Sequence, residues 1–114
     1  MDYLALDAIM SGTLPEQDVD VPDWGGTIKV RAITNSELAR CKAHATNKRN
    51  GDLDEVKFNA LVLVAGCVEP EFPPASEMQI MRQLTPGPVA RIANVIMDLS
   101  GFSDEDEDDD SGEA

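Results

Sequence analysis

Asp52-Leu53-Asp54-Glu55-Val56-Lys57-Phe58-Asn59-Ala60-Leu61-Val62-Leu63-Val64-Ala65-Gly66-Cys67-Val68 is the one long run of this 114-residue chain in which apolar residues outnumber all others. Leu53, Val56, Ala60, Leu61 and Val64 recur at offsets of three, seven, eight and eleven, the stripe that one face of an α-helix presents. A strand would need period two. Val62, Leu63, Ala65, Cys67 and Val68 add apolar groups on the other faces, so the expected helix enters amphipathic and finishes covered on nearly all sides. Asp52 is its expected cap, and Asp54 and Glu55 sit where the helix dipole favours negative charge. Glu69-Pro70-Glu71-Phe72-Pro73-Pro74 cannot continue it, because three prolines remove donors and restrict the residues before them.

The flanking segments must pack around this central helix. Upstream, Thr34-Asn35-Ser36-Glu37 announces a helix, with Asn35 or Ser36 as cap and Leu38, Cys41 and Ala45 as its inner face. Before that, Val19 and Val21 alternate with Asp18 and Asp20, Pro22-Asp23-Trp24-Gly25-Gly26 supplies turn chemistry, and Ile28, Val30, Ala32 and Ile33 follow, which predicts a β-hairpin. A lone hairpin is marginal, so one face must lie on helices. Leu4, Ala5, Ala8 and Ile9 predict a short leading helix stopped by Gly12. Downstream, Ser76 to Leu84 reads as a short helix with Ile80, Met81 and Leu84 on one side. Thr85 and Pro86 then start a longer helix running to Ser100-Gly101, where Gly101-Phe102 reads as a cap whose aromatic folds back. The expected fold class is α+β, mainly α: one helical domain over residues 1–103, with a hairpin packed on it.

Charge is unevenly placed. The net charge of −13 concentrates in residues 104–114, which hold eight acids and no base, leaving a net of −5 in residues 1–103. A run such as Asp104 to Asp110 repels itself and lacks apolar anchors, so a disordered acidic tail is expected there. It serves either to solubilise the protein or to dock a basic partner. Direct nucleic-acid binding is disfavoured, since phosphate contacts need clustered Lys or Arg. No 18-residue apolar run exists, and the leading segment has no basic stretch followed by a signal core, which sets the expectation of a cytosolic, non-membrane protein. Cys41 and Cys67 show no metal or redox spacing and read as reduced packing residues.

Catalytic signals are missing. The chain has no phosphate-binding glycine loop, nucleophile elbow or HExxH motif, and His44, its single histidine, has no partner set with Cys41 for metal or acid–base work. No enzyme and no cofactor are expected. Arg40, Lys42, Lys48 and Arg49 read as a basic surface. Trp24 is either a lid over the hairpin or an exposed anchor. Met78, Met81 and Met97 read first as core filler, and alternatively as an adaptable partner surface.

The order of these pieces resembles the XkdN-like tail assembly chaperones of long-tailed phages over most of residues 2–102. The resemblance is carried by Tyr3-Leu4-Ala5-Leu6, by Ile28-Lys29-Val30-Arg31-Ala32-Ile33-Thr34-Asn35-Ser36-Glu37, by Phe58-Asn59-Ala60-Leu61 leading to Glu69-Pro70, and by Gln83-Leu84-Thr85-Pro86-Gly87 before a helix closed by Ser100-Gly101-Phe102. It implies a non-catalytic factor of the host cell cytoplasm that binds the tape measure protein and keeps it soluble during tail tube assembly. Tail tube protein and self-association are further implied contacts. The expected partner surface combines Met78, Ile80, Met81 and Leu84 with Trp24 nearby. The competing classes are an acidic regulator or nucleic-acid mimic that sequesters a basic protein, and another small structural tail component. A mimic needs acids fixed on folded helices, whereas here most of the excess lies in the terminal run.

Overall fold

The computed structural model describes residues 2–102, so the acidic run at 104–114 lies outside the described residues. A short helix α1 (Leu6–Met10) precedes an antiparallel pair, β1 (Glu16–Val21) and β2 (Gly26–Arg31), joined by a 3₁₀ turn at Pro22–Trp24. Then come α2 (Asn35–Ala45), α3 (Glu55–Gly66), a third strand β3 (Cys67–Glu69), α4 (Glu77–Gln83) and α5 (Pro86–Leu99). The mainly helical α+β class expected from the sequence is the one found. Its hairpin, however, belongs to a three-stranded antiparallel sheet ordered β1-β2-β3.

Alternation decides the sheet's faces. Val19 pairs with Ile28 and Gln17 with Val30, and Val19, Val21, Ile28 and Val30 are buried while Asp18 and Asp20 are exposed. The apolar face therefore lies on the helices, with β1 at an outer edge. β3 pairs with β2 through Lys29–Glu69 and Val30–Cys67, across an irregularity between Lys29 and Val30. The central helix is thus shorter than its apolar run. Cys67 and Val68 belong to the strand, because Glu69 precedes a proline, which disfavours helical backbone at that residue and draws the chain into extended form.

Helix starts correct two further expectations. Asp54, not Asp52, caps α3, its carboxylate accepting the Lys57 N–H at 3.2 Å. Asp52 instead closes the loop from α2, its carbonyl accepting the Asn47 N–H at 2.7 Å, and Thr46 bridges Leu53. Thr34, not Asn35 or Ser36, caps α2: its hydroxyl accepts from the Glu37 N–H, and the Glu37 carboxylate accepts from the Thr34 N–H at 2.9 Å. At the other end, the Phe102 N–H reaches the Met97 carbonyl and Gly101 takes φ 101°, the left-handed cap expected there, though the Phe102 side chain stays half-exposed.

The largest revision concerns the orientation of α3. The fully buried positions are Val62, Leu63, Ala60 and Gly66, whereas Leu53 and Val56 are 43% and 53% exposed, and Leu61 and Val64 only half-buried. Apolar residues surround the helix, so the stripe does not say which side meets the core. What decides it is α5: a Cβ built on Gly66 would lie 2.7 Å from Cδ1 and 2.8 Å from Cγ2 of Ile96, so the helices meet where α3 has no side chain. Val89, Ile92, Ala93 and Ile96 of α5 complete that core. Ser100, just past α5, locks the far side; its hydroxyl accepts the Ile33 N–H at 2.9 Å and donates to the Ile96 carbonyl at 2.7 Å.

Two stability measurements check this arrangement. Leu63→Ala should cost roughly 2–5 kcal/mol in urea titration, because Leu63 is fully buried, and half-buried Leu61 should cost clearly less on the same substitution. Gly66→Ala should cost about 1–3 kcal/mol, since Ile96 Cγ2 hangs directly on a buried β-carbon and cannot swing away. Equal losses at Leu61 and Leu63 would contradict the helix orientation.

Candidate functional site

Because α3 is apolar on every side and α5 with the sheet covers only part of it, its remaining faces floor two depressions. The narrower, of about 160 Å³, lies between α3, α4 and α5. Val56, Asn59 and Ala60 form one wall, Ile80, Met81 and Leu84 a second, and Thr85, Pro86, Val89 and Ala90 the third. Its lining contains no charged residue. The wider, of about 620 Å³, lies between α2, the opposite flank of α3 and the Glu71–Glu77 segment. Leu61, Val64, Ala65 and Val68 pave it, Phe72 and Pro74 close one side, and Arg40 and His44 stand on the α2 wall.

The surface expected from the sequence is thus only partly assembled. Ile80, Met81 and Leu84 share the narrow groove. Met78 is 47% exposed and lines neither depression. Trp24 sits in the hairpin turn, half-buried against the core, and lines neither as well. Its turn is held to α5 by an Asp23–Arg91 ion pair at 3.2 Å. The groove residues that sequence reasoning misses include Val56, Asn59 and Ala60 on α3, Thr85 and Pro86 at the start of α5, and Val89 and Ala90 within it. Val56 was available as a signal, since it belongs to the helical stripe, but the stripe alone cannot separate a groove wall from core.

Arg31 and Glu37 rim the wide groove and join the sheet to α2. The guanidinium makes a two-pronged contact, Nη1 to Oε1 at 3.0 Å and Nη2 to Oε2 at 2.7 Å. The hydrogen bonds from Arg31 hold the Glu37 carboxyl down at about 2, with the Thr34 N–H helping and partial burial opposing. Glu37 in turn raises the Arg31 pKa. Burial pushes both the Cys41 and Cys67 thiols up, so they stay protonated at neutral pH, and both are free. Among the described residues no group of three His, Cys, Asp or Glu side chains is placed to hold a metal ion, and no helix is long and apolar enough to cross a membrane.

This arrangement of sheet and helices has a solved counterpart, the structure of the bacteriophage HK97 tail assembly chaperone. The two superpose with a TM-score of 0.57 over 75% of this chain and 85% of that chain, at 15% sequence identity. The chain therefore has the fold of a phage tail assembly chaperone. No protein-family model matches it, and neither does any curated protein.

The Arg31–Glu37 pair makes stability depend on acid. Glu37 titrates below its ordinary value of 4.5 in the folded chain, so its contribution is complete above about pH 4.5 and is lost as pH falls toward about 2. Glu37→Gln should accordingly lower the urea midpoint at pH 7, and the gap to the parent protein should narrow steadily between pH 4.5 and pH 2. A gap that stays constant over that interval would remove the ion pair as its source.

Proposed function

We propose that this chain is a non-catalytic phage tail assembly chaperone of the host cytoplasm, holding an apolar helical segment of the tape measure protein in the α3–α4–α5 groove. The observation that carries the proposal is the fold shared with the HK97 protein. The groove supplies a physical route. An amphipathic helix seats its apolar stripe in such a channel, and each Leu, Val or Met buried there contributes roughly 1.5–3 kcal/mol against exposure to water. Met81 offers an adaptable wall, and α4 is a seven-residue helix set between Pro73-Pro74 and Pro86, attached to α3 more than to α5. The order of motifs quoted above favours the XkdN-like group as the finer assignment. With no charge in the groove lining, affinity should change little with salt.

Co-expression with the tape measure protein of the same phage provides the test, scored as the fraction of that protein in the soluble phase. The wild type and a chain ending at Ser103 should both keep it soluble. Met81→Asp and Ala90→Asp, on facing walls of the groove, should lose most of that effect while retaining helical circular dichroism. If all four proteins leave tape measure solubility unchanged, the chaperone assignment fails; if only the shortened chain loses activity, the acidic run and not the groove is the site.

A further inference from the structure

Strand β1 has a partner on one side only. It is the outer member of the order β1-β2-β3, and among the described residues no hydrogen bond reaches its far side. Register says which residues point there. The Ala32 N–H donates to the Pro15 carbonyl at 2.9 Å, so Pro15 and Ala32 form a hydrogen-bonded pair, and in an antiparallel ladder such pairs alternate with unbonded ones. Two residues at a time from Pro15, Gln17–Val30, Val19–Ile28 and Val21–Gly26 are bonded, whereas Glu16–Arg31, Asp18–Lys29 and Asp20–Thr27 are not. The backbone N–H and C=O groups of Glu16, Asp18 and Asp20 therefore face outward. Their carboxylates are all exposed on the solvent face of the sheet, and none forms an ion pair among the described residues. Across that face charge runs in stripes: acids on β1, Lys29 and Arg31 on β2, and Glu69 opposite Lys29 on β3. Arg31 is engaged by Glu37, Lys29 is shared between Asp18 and Glu69, and Asp20 faces uncharged Thr27, so the β1 row keeps an excess of negative charge.

We propose that β1 accepts a basic, extended segment of another protein as a fourth, antiparallel strand, with Lys or Arg at alternate positions opposite Glu16, Asp18 and Asp20. Strand addition supplies main-chain hydrogen bonds, and alternate side chains supply the choice of partner. Each residue opposite an acid sits in a hydrogen-bonded pair on the solvent face, where a base continues the alternation of sign that runs from β3 to β1. The intervening residues point to the other face, beside Val19 and Val21, which rest on the helices, so apolar side chains suit them. The six residues of β1 span about 20 Å, room for a segment of equal length. Acids alone would attract any cation; the open backbone edge is what selects a strand. The net charge of −13 draws basic chains toward the surface before they dock. This edge shares no residue with the α3–α4–α5 groove, so the tape measure proposal and this one stand or fall separately.

The test uses a synthetic peptide of alternating Lys and Val, added to the full-length protein and followed by titration calorimetry and amide hydrogen exchange. With the peptide bound, the outward N–H groups of Asp18 and Asp20 should exchange at least tenfold more slowly. Asp18→Asn/Asp20→Asn should weaken binding at least fivefold with unchanged melting, because both side chains are exposed. The same peptide with its lysine backbone nitrogens methylated keeps its charge but loses the donors that face β1, and it should not bind. Binding should also weaken as salt is raised, unlike that of a helix in the uncharged groove. Met81→Asp should bind the peptide as the wild type does. Unslowed exchange at Asp18 and Asp20, or equal binding of the methylated peptide, would overturn strand addition. Equal binding by the Asn variant would remove the acids from the site, and loss of binding by a chain ending at Ser103 would move the peptide to the terminal acidic run.

Discussion

The close approach of Gly66 to Ile96 is the constraint on which the rest of the structure depends. A glycine at the end of α3 lets α5 come within reach of its backbone, and Ile96 fills the space a side chain would have taken. That contact fixes which flank of an evenly apolar helix becomes core. It lies at the very end of α3, since the residue after Gly66 is the first of β3 and pairs with Val30 of the sheet. One glycine therefore sets the relation of α5 to α3 and of both to the strands. Ser100 then ties the far end of α5 back to the junction between β2 and α2.

With that flank committed to the core, the two remaining flanks of α3 have only partial cover. An apolar helix in a larger protein would be wrapped on all sides, but about 100 described residues do not supply enough secondary structure to do so. The short α4 screens one flank incompletely and leaves the narrow, uncharged groove. On the other, α2 stands off across the wide groove with Arg31 and Glu37 clamping its first turn to the sheet. The exposed apolar surface follows from the same sequence feature that makes the core.

Much of the fold is legible in the sequence because helix boundaries are written in local chemistry. Pro22 to Gly26, Thr34 to Glu37, Thr85-Pro86 and Ser100-Gly101 each announce a turn or a cap, and elements begin or end at all of them. The third strand is not legible: Cys67 and Val68 continue an apolar run, and periodicity cannot separate the end of a buried helix from a short buried strand. Nor is the orientation of α3, since Leu61 and Leu63 look equally suited to the core until α5 is in place. For the same reason Ile80, Met81 and Leu84 can be grouped from their spacing, whereas Val89 and Ala90, which face them, come from a separate helix whose approach no local pattern encodes. Trp24 is set apart from that group by the hairpin's docking through Asp23 and Arg91, a contact between residues 68 positions apart.

The outer strand β1 has one consequence of a different kind. Its hydrogen-bonding edge is open, and an open edge invites another strand to add to the sheet. Two β1 strands meeting antiparallel would bring Asp18 and Asp20 of each chain side by side on the exposed face, with Glu16 adding to the repulsion, and like charges across a strand pair oppose pairing. The alternation that buries Val19 and Val21 thus also protects the chain from fibrillar stacking. The charge row guards the β1 edge of a chain that exposes apolar side chains elsewhere.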